Sequence, residues 1–96
     1  MTELHLAAYH GDPEWVVACI AGGLDLGARS NNGYTPLHWA VDMGCVGPPE
    51  SRIAVVRALV EAGADVMALN SRGETPAMTA RQSTSEYLIP YLGERP

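Results

Sequence analysis

Apolar residues along this chain fall into short stretches of helical spacing, separated by breaks rich in glycine, asparagine and proline. Ile53, Val56, Leu59 and Val60 recur at i, i+3, i+6 and i+7, which puts them on one stripe of an α-helix that faces a core. Upstream, Thr35 is placed to cap a helix, Pro36 occupies a first-turn position where no N–H is needed, and Leu37, Ala40 and Val41 follow at helical spacing. Gly44 is expected to stop this short helix, and Pro48 and Pro49 to keep the following stretch out of helix until the second, antiparallel one begins. Gly63 then follows as a C-terminal glycine free to turn left-handed, and Asn70-Ser71-Arg72-Gly73 reads as a tight turn. The predicted unit is helix, turn, helix, projecting hairpin.

The unit repeats. Thr2-Glu3-Leu4-His5 is answered by Thr35-Pro36-Leu37-His38 at a spacing of 33, and by Thr75-Pro76-Ala77-Met78. Gly23-Leu24-Asp25-Leu26 is answered by Gly63-Ala64-Asp65-Val66 at a spacing of 40, and the difference is a seven-residue insertion best placed at 46–52. Such a unit cannot bury its apolar face alone, so neighbours stack to complete a shared core. A chain of 96 residues buries roughly 60–65% of the surface that its unfolded form exposes, which allows one domain and no second. The units are 2–32, 33–72 with the insertion, and a degenerate 73–96.

Gly33-Tyr34-Thr35-Pro36-Leu37-His38-Trp39-Ala40, Val55 to Val60, Gly63-Ala64-Asp65-Val66-Met67-Ala68 and Gly73-Glu74-Thr75-Pro76 together resemble the ankyrin repeat, well over residues 2 to 81 and more weakly beyond. The resemblance implies an all-α solenoid of about three helix-turn-helix units with projecting hairpin loops. It says little about function, because arrays of this family share a scaffold and differ in what they hold. A chain this short that begins at Met is expected to be a small stand-alone member, bacterial or viral.

The ends depart from the pattern. Thr2 is expected to cap the first helix, with Leu4, Ala7 and Ala8 as its apolar contacts, and Asp12-Pro13-Glu14 to open the second. At the other end Thr84 replaces the inter-helix glycine, and the second helix shrinks to Glu86–Leu92 with Pro90 inside it. A proline there predicts a kink or a short terminal helix, with residues 93–96 frayed.

Composition narrows the classes of function. The chain is 47% apolar and 18% charged, and no apolar run is long enough to span a bilayer. With no leader-like segment and only Cys19 and Cys45, both read as reduced, the expectation is a cytoplasmic protein. The net charge of −5 and a pI near 4.9 argue against nucleic acid as a partner. All six basic residues are arginines, so Schiff-base and P-loop lysine chemistry is excluded.

A search for chemistry returns structural roles. The ankyrin resemblance implies that His5 and His38 hydrogen-bond the neighbouring hairpin; the alternative is metal binding or acid–base work, for which no third ligand stands at a recognisable spacing. No nucleophile motif is present, and no catalytic, cofactor or metal site is expected. Trp39 is expected to pack between repeats, and Trp15 either to cover the N-terminal cap or to form an exposed convex patch. The insertion is either a second contact site or a neutral lengthening, made extended and stiff by its prolines.

What remains is a surface. In the family, partners dock on hairpin tips and the exposed ends of the first helices, which here means Arg29, Asn31, Asn32 and Tyr34 on the first hairpin and Leu69, Ser71, Arg72 and Glu74 on the second. Tyr9, His10, Asp42, Met43, Gln82 and Ser83 continue the strip. The leading expectation is a non-catalytic adaptor or inhibitor that grips a protein partner there, with a monomer favoured. The alternatives are an assembly subunit that self-associates through its open C-terminal end, and an acidic decoy for a nucleic-acid-binding protein.

Overall fold

The computed structural model describes residues 2–42, 48–82 and 86–92. Five α-helices and a terminal 3-10 helix follow one another: α1 (Glu3–His10), α2 (Pro13–Ala21), α3 (Pro36–Val41), α4 (Pro49–Glu61), α5 (Pro76–Arg81) and the 3-10 helix Glu86–Leu92. Helices α1, α3 and α5 stack as one layer, while α2, α4 and the 3-10 helix stack as the other. Each unit is an antiparallel pair drawn from both layers, and no strand occurs among the described residues.

Local chemistry sets the helix starts. Thr2, Thr35 and Thr75 are extended N-caps whose hydroxyls accept from the N–H groups of His5, His38 and Met78. Asp12 caps α2 by accepting from the N–H groups of Glu14 and Trp15. Gly63 has φ 105°, the left-handed exit expected after α4. The core lies between the two layers, with Leu4, Leu37 and Leu59 fully buried and Leu88 and Leu92 closing it at the C-terminal end. The thiol of Cys19 is free and buried, which pushes its titration up.

Two expectations are corrected. Pro49 does not hold the insertion out of helix: it is the first residue of α4, and Glu50, Ser51 and Arg52 complete the first turn. Proline at that position gives up an N–H that the helix does not use and presets φ, while Pro48 before it is extended with ψ 158°. Arg52 is consequently a buried helix residue. Its Nη2 donates to the Asp42 carbonyl and its guanidinium lies 5.6 Å from the centre of the Tyr87 ring, tying α3, α4 and the terminal helix together. The second correction concerns Gly44 as a helix stop, since α3 already ends at Val41 with Asp42 as an extended C-cap.

The terminal segment takes the form of a seven-residue 3-10 helix with Pro90 inside it. The expectations for Cys45, Val46, Gly47, Thr84 and residues 93–96 lie outside the described residues.

Candidate functional site

The candidate interface is the strip formed by the two hairpins and the exposed ends of the first helices. Each hairpin is closed at its tip by a β-turn: Gly33 N–H donates to Ser30 O at 2.9 Å, and Gly73 N–H to Asn70 O at 3.0 Å. Around the turns, Ser30 N–H donates to Tyr34 O and Asn70 N–H to Glu74 O.

Each hairpin is then tied to the preceding unit by a histidine. The Nδ1 atoms of His5 and His38 accept from the N–H groups of Thr2 and Thr35 at 3.1 and 3.2 Å, which leaves the proton on Nε2. From there His5 donates to Tyr34 O and His38 to Glu74 O, both at 2.8 Å. Both rings are fully buried, and burial holds their pKa values below the usual histidine range against the backbone bonds that would raise them. The neutral tautomer is therefore the working form, as a tie between backbone elements requires.

The hairpins are also tied to each other. Ser71 N–H donates to Asn32 O at 3.2 Å, and the Arg29 guanidinium donates to Leu69 O as well as to Gly33 O. Gly33 permits this approach twice over. Its φ is 73°, and a β-carbon there would stand 2.8 Å from the Ser71 nitrogen. The second hairpin has an internal brace that the first lacks. Asn70 is buried, its Oδ1 accepting from the N–H groups of Arg72 and Glu74 at 2.9 and 3.0 Å and its Nδ2 donating to Glu74 Oε1 at 3.0 Å. That amide is the main reason the Glu74 carboxyl is held below its ordinary range, with Gln82 and Arg72 adding to it. The equivalent residue of the first hairpin is Ser30, whose buried Oγ finds no partner.

On this frame Asn31, Asn32, Ser71 and Arg72 are exposed at the tips, with Arg29 and Leu69 exposed beside them. Leu69 is 51% exposed, large for a leucine on a braced turn. Tyr34 is half-buried, its ring tilted against His38 at 5.5 Å, so it serves the relay as well as the surface. Asp42 is half-buried at the end of α3, and Gln82 is exposed at the end of α5. Met43 and Ser83 lie outside the described residues. Tyr9 and His10 lie at the end of α1, Tyr9 edge-on to Trp39 at 5.5 Å and His10 stacked on Trp15 at 5.9 Å.

The residues that sequence reasoning missed are the braces. Asn70 reads as an ordinary turn residue, Arg29 as a free tip residue, and Gly33 as a family landmark; the signal available was the alignment of Ser30 with Asn70. Trp15 is settled in favour of the N-terminal cap: its Nε1 donates to Glu3 Oε2 at 2.8 Å while its ring stacks on His10, so it is fastened at both ends of one face of α1. Trp39 packs against the core as expected, but its buried indole N–H lacks the partner that such a group calls for. Among the described residues no cluster of three metal-ligating side chains occurs, and no helix is long and apolar enough to cross a membrane.

Comparison with known proteins agrees with this architecture. The family profile for ankyrin repeats matches residues 4–95 as three copies. The chain is 38% identical over 82 residues to mouse ankyrin repeat and SOCS box protein 16, covering 83% of this chain and 18% of that protein. It is 32% identical over 96 residues to the mouse B-cell lymphoma 3 protein homolog, covering 95% of this chain and 20% of the relative. A zebrafish palmitoyltransferase, ZDHHC17, is 35% identical over 97 residues, covering 98% of this chain and 14% of the enzyme. The chain thus spans a fifth or less of the length of these relatives. On the matched profile, the Thr-x-Leu-His phrase shared by residues 2–5 and 35–38 and the paired helix layers, the chain belongs to the ankyrin repeat family.

Proposed function

We propose that the protein is a non-catalytic binding module, an adaptor or inhibitor, that grips a protein partner through the hairpin strip and the adjoining ends of the first helices. Ankyrin repeats are in general protein–protein interaction modules. The observation that carries the reading is the bracing of the strip. Asn31, Asn32, Ser71 and Arg72 are exposed on backbone already fixed by two histidine ties, the Ser71–Asn32 bond and the Arg29 bridge. A surface ordered before it meets its partner loses less entropy on binding. Leu69 and Arg72, an apolar anchor next to a cation, are the contacts expected to carry most of the energy.

The reading is tested with the purified protein as bait in lysate of its source organism, beside a Tyr34→Ala, Arg72→Glu double variant and an Arg57→Glu control on the exposed side of α4. A partner held by the wild type and the control and lost from the double variant supports it, provided that the unfolding midpoint of the double variant shows it folded. Retention by all three proteins counts against it. The same reading has the protein act as a monomer in the cytoplasm, where the Cys19 thiol stays reduced, with neither nucleic acid nor a membrane as direct partner. Fractionation of source cells checks the location.

One observation favours assembly as a second reading. At the C-terminal face, Met78 stands in the slot that His5 and His38 fill in the other units, and Leu69 in that of Arg29, so donors aimed at a following hairpin are replaced by apolar groups. Met67 and Met78 are 67% and 45% exposed, and with Val66, Ala77, Arg81 and Leu92 they line a groove of about 190 Å³. A molar mass that stays at one chain across a concentration series in light scattering removes self-association.

A further inference from the structure

Where the strip ends at Tyr9 and His10, a set of ring contacts runs on to Trp15, away from the hairpins. Four rings run in series across three helices: Trp39 of α3 meets Tyr9 of α1 edge to face at 5.5 Å, Tyr9 meets His10 at 5.5 Å, and His10 stacks on Trp15 of α2 at 5.9 Å with the planes 19° apart. Trp15 is anchored at its far side by the bond from its Nε1 to Glu3. His10 is exposed, and Tyr9 and Trp15 are half-buried, so ring surface remains in water.

The charged side chains of this part of the sequence have one sign. Through residue 28 the chain holds Glu3, Asp12, Glu14 and Asp25 and no arginine or lysine. Glu3, Asp12 and Glu14 are all exposed: Glu3 is bonded to Trp15, Glu14 precedes Trp15 in α2, and Asp12 lies between His10 and Trp15 in the turn. Asp12 caps α2 through Oδ1, accepting at 3.1 and 3.2 Å. The negative π faces of aromatic rings and neighbouring carboxylates attract the same ligand, a cation with a flat, weakly hydrated face. A guanidinium stacks and donates to carboxylates at once, whereas an ammonium offers charge without a plane.

We propose that the α1–α2 end of unit one binds an arginine side chain presented by an extended segment of a protein partner. Tyr9, His10 and Trp15 supply the stacking surface, and Glu3 and Glu14 the carboxylates. The inference rests on the reading of the chain as an interaction module and names the chemistry its partner must offer.

The test is nitrogen-15 NMR of the wild-type protein, in which the indole N–H signals of Trp15 and Trp39 are read separately, during titration with a ten-residue Gly/Ser peptide carrying three arginines. The same peptide with citrulline, the neutral isostere, and with lysine are the comparisons. Saturable shifts at the Trp15 indole and the Tyr9 and His10 amides are expected, with affinity lowered about tenfold by citrulline, the size of one partly desolvated cation–π contact, and less by lysine. Added salt weakens the arginine peptide, and so does Glu14→Gln, which leaves the Glu3 bond to Trp15 intact. Equal affinity for the arginine and citrulline peptides overturns the proposal, as do shifts that leave Trp15 unmoved. A partner captured through the hairpins while the arginine peptide moves no unit-one signal overturns the arginine site alone. A Trp15 response together with a partner indifferent to the hairpin variant overturns the hairpin reading instead.

Discussion

Replacing Ser30 by asparagine should stabilise the protein. The two hairpins have the same turn, but Asn70 braces the second with two backbone bonds to its Oδ1 while the buried Ser30 Oγ of the first has no partner. An asparagine at 30 would set its Oδ1 over the N–H groups of Asn32 and Tyr34, and the hollow of about 280 Å³ beside Ser30, lined by Asn31, Asn32 and Trp39, gives it room. Two added bonds contribute roughly 0.5–1.5 kcal/mol each, and removing a buried orphan hydroxyl adds to that. Against this stands about 1 kcal/mol for ordering the longer side chain. The net expectation is a gain of about 1 kcal/mol, or a rise of roughly 4–8 °C in Tm for a domain of this size. Asn70→Ser is the reciprocal experiment. It removes both backbone bonds and the bond to Glu74, and should cost about 2 kcal/mol. Urea unfolding followed by circular dichroism measures both changes on one scale. A destabilised Ser30→Asn variant, or an Asn70→Ser variant with unchanged stability, would refute the claim that the side chain at this position braces the turn.

Three further outcomes are expected. His38→Ala leaves Glu74 O and Thr35 N–H without their partner and opens a cavity at a fully buried site, a loss of about 3 kcal/mol in the same unfolding assay. Because burial lowers the pKa of both His5 and His38 in the folded state, the unfolded chain binds more protons just below pH 6.5. Stability should therefore be full above that pH and fall as the pH drops toward the folded-state values, with a slope of at most about 1.4 kcal/mol per pH unit for each histidine. Urea midpoints taken from neutral to mildly acid pH check this, and a flat profile that persists in the wild type contradicts it. Gly33→Ala and Gly73→Ala share a φ of 73°, but only the first drives a β-carbon toward a neighbouring backbone. Gly73→Ala should cost about 1 kcal/mol and Gly33→Ala at least about 2 kcal/mol.

Much of this architecture is legible in the residues. Periodicity, the Thr and Asp caps and repeated glycines mark the helix pairs of the first two units, because each is a local signal read within one turn, though not where α3 ends or α4 begins. The histidine relay is legible through the family resemblance, since His5 and His38 recur at the repeat spacing. Pro49 shows where local reading fails: a second proline after a first looks like an obstacle until the helix is seen to begin on it. The inter-hairpin ties were out of reach for a different reason. Arg29 to Leu69, Ser71 to Asn32 and Gly33 against Ser71 join residues about 40 positions apart, and the two partners share no pattern that a sequence displays. The pairing of Trp15 with Glu3 and His10 is likewise a product of helix packing, legible only as one of two alternatives for an N-terminal tryptophan.

Bracing of the hairpins leads to one claim above the others, that the strip from Tyr9 through Asn31 and Asn32 to Ser71 and Arg72 is the surface a protein partner covers. Amide hydrogen exchange of the captured complex against the free protein tests it most directly. Added protection at the hairpin tips and the end of α1, with α4 unchanged, is the predicted result. Protection confined to α4, or to the face around Met67, Met78 and Tyr91, would contradict it.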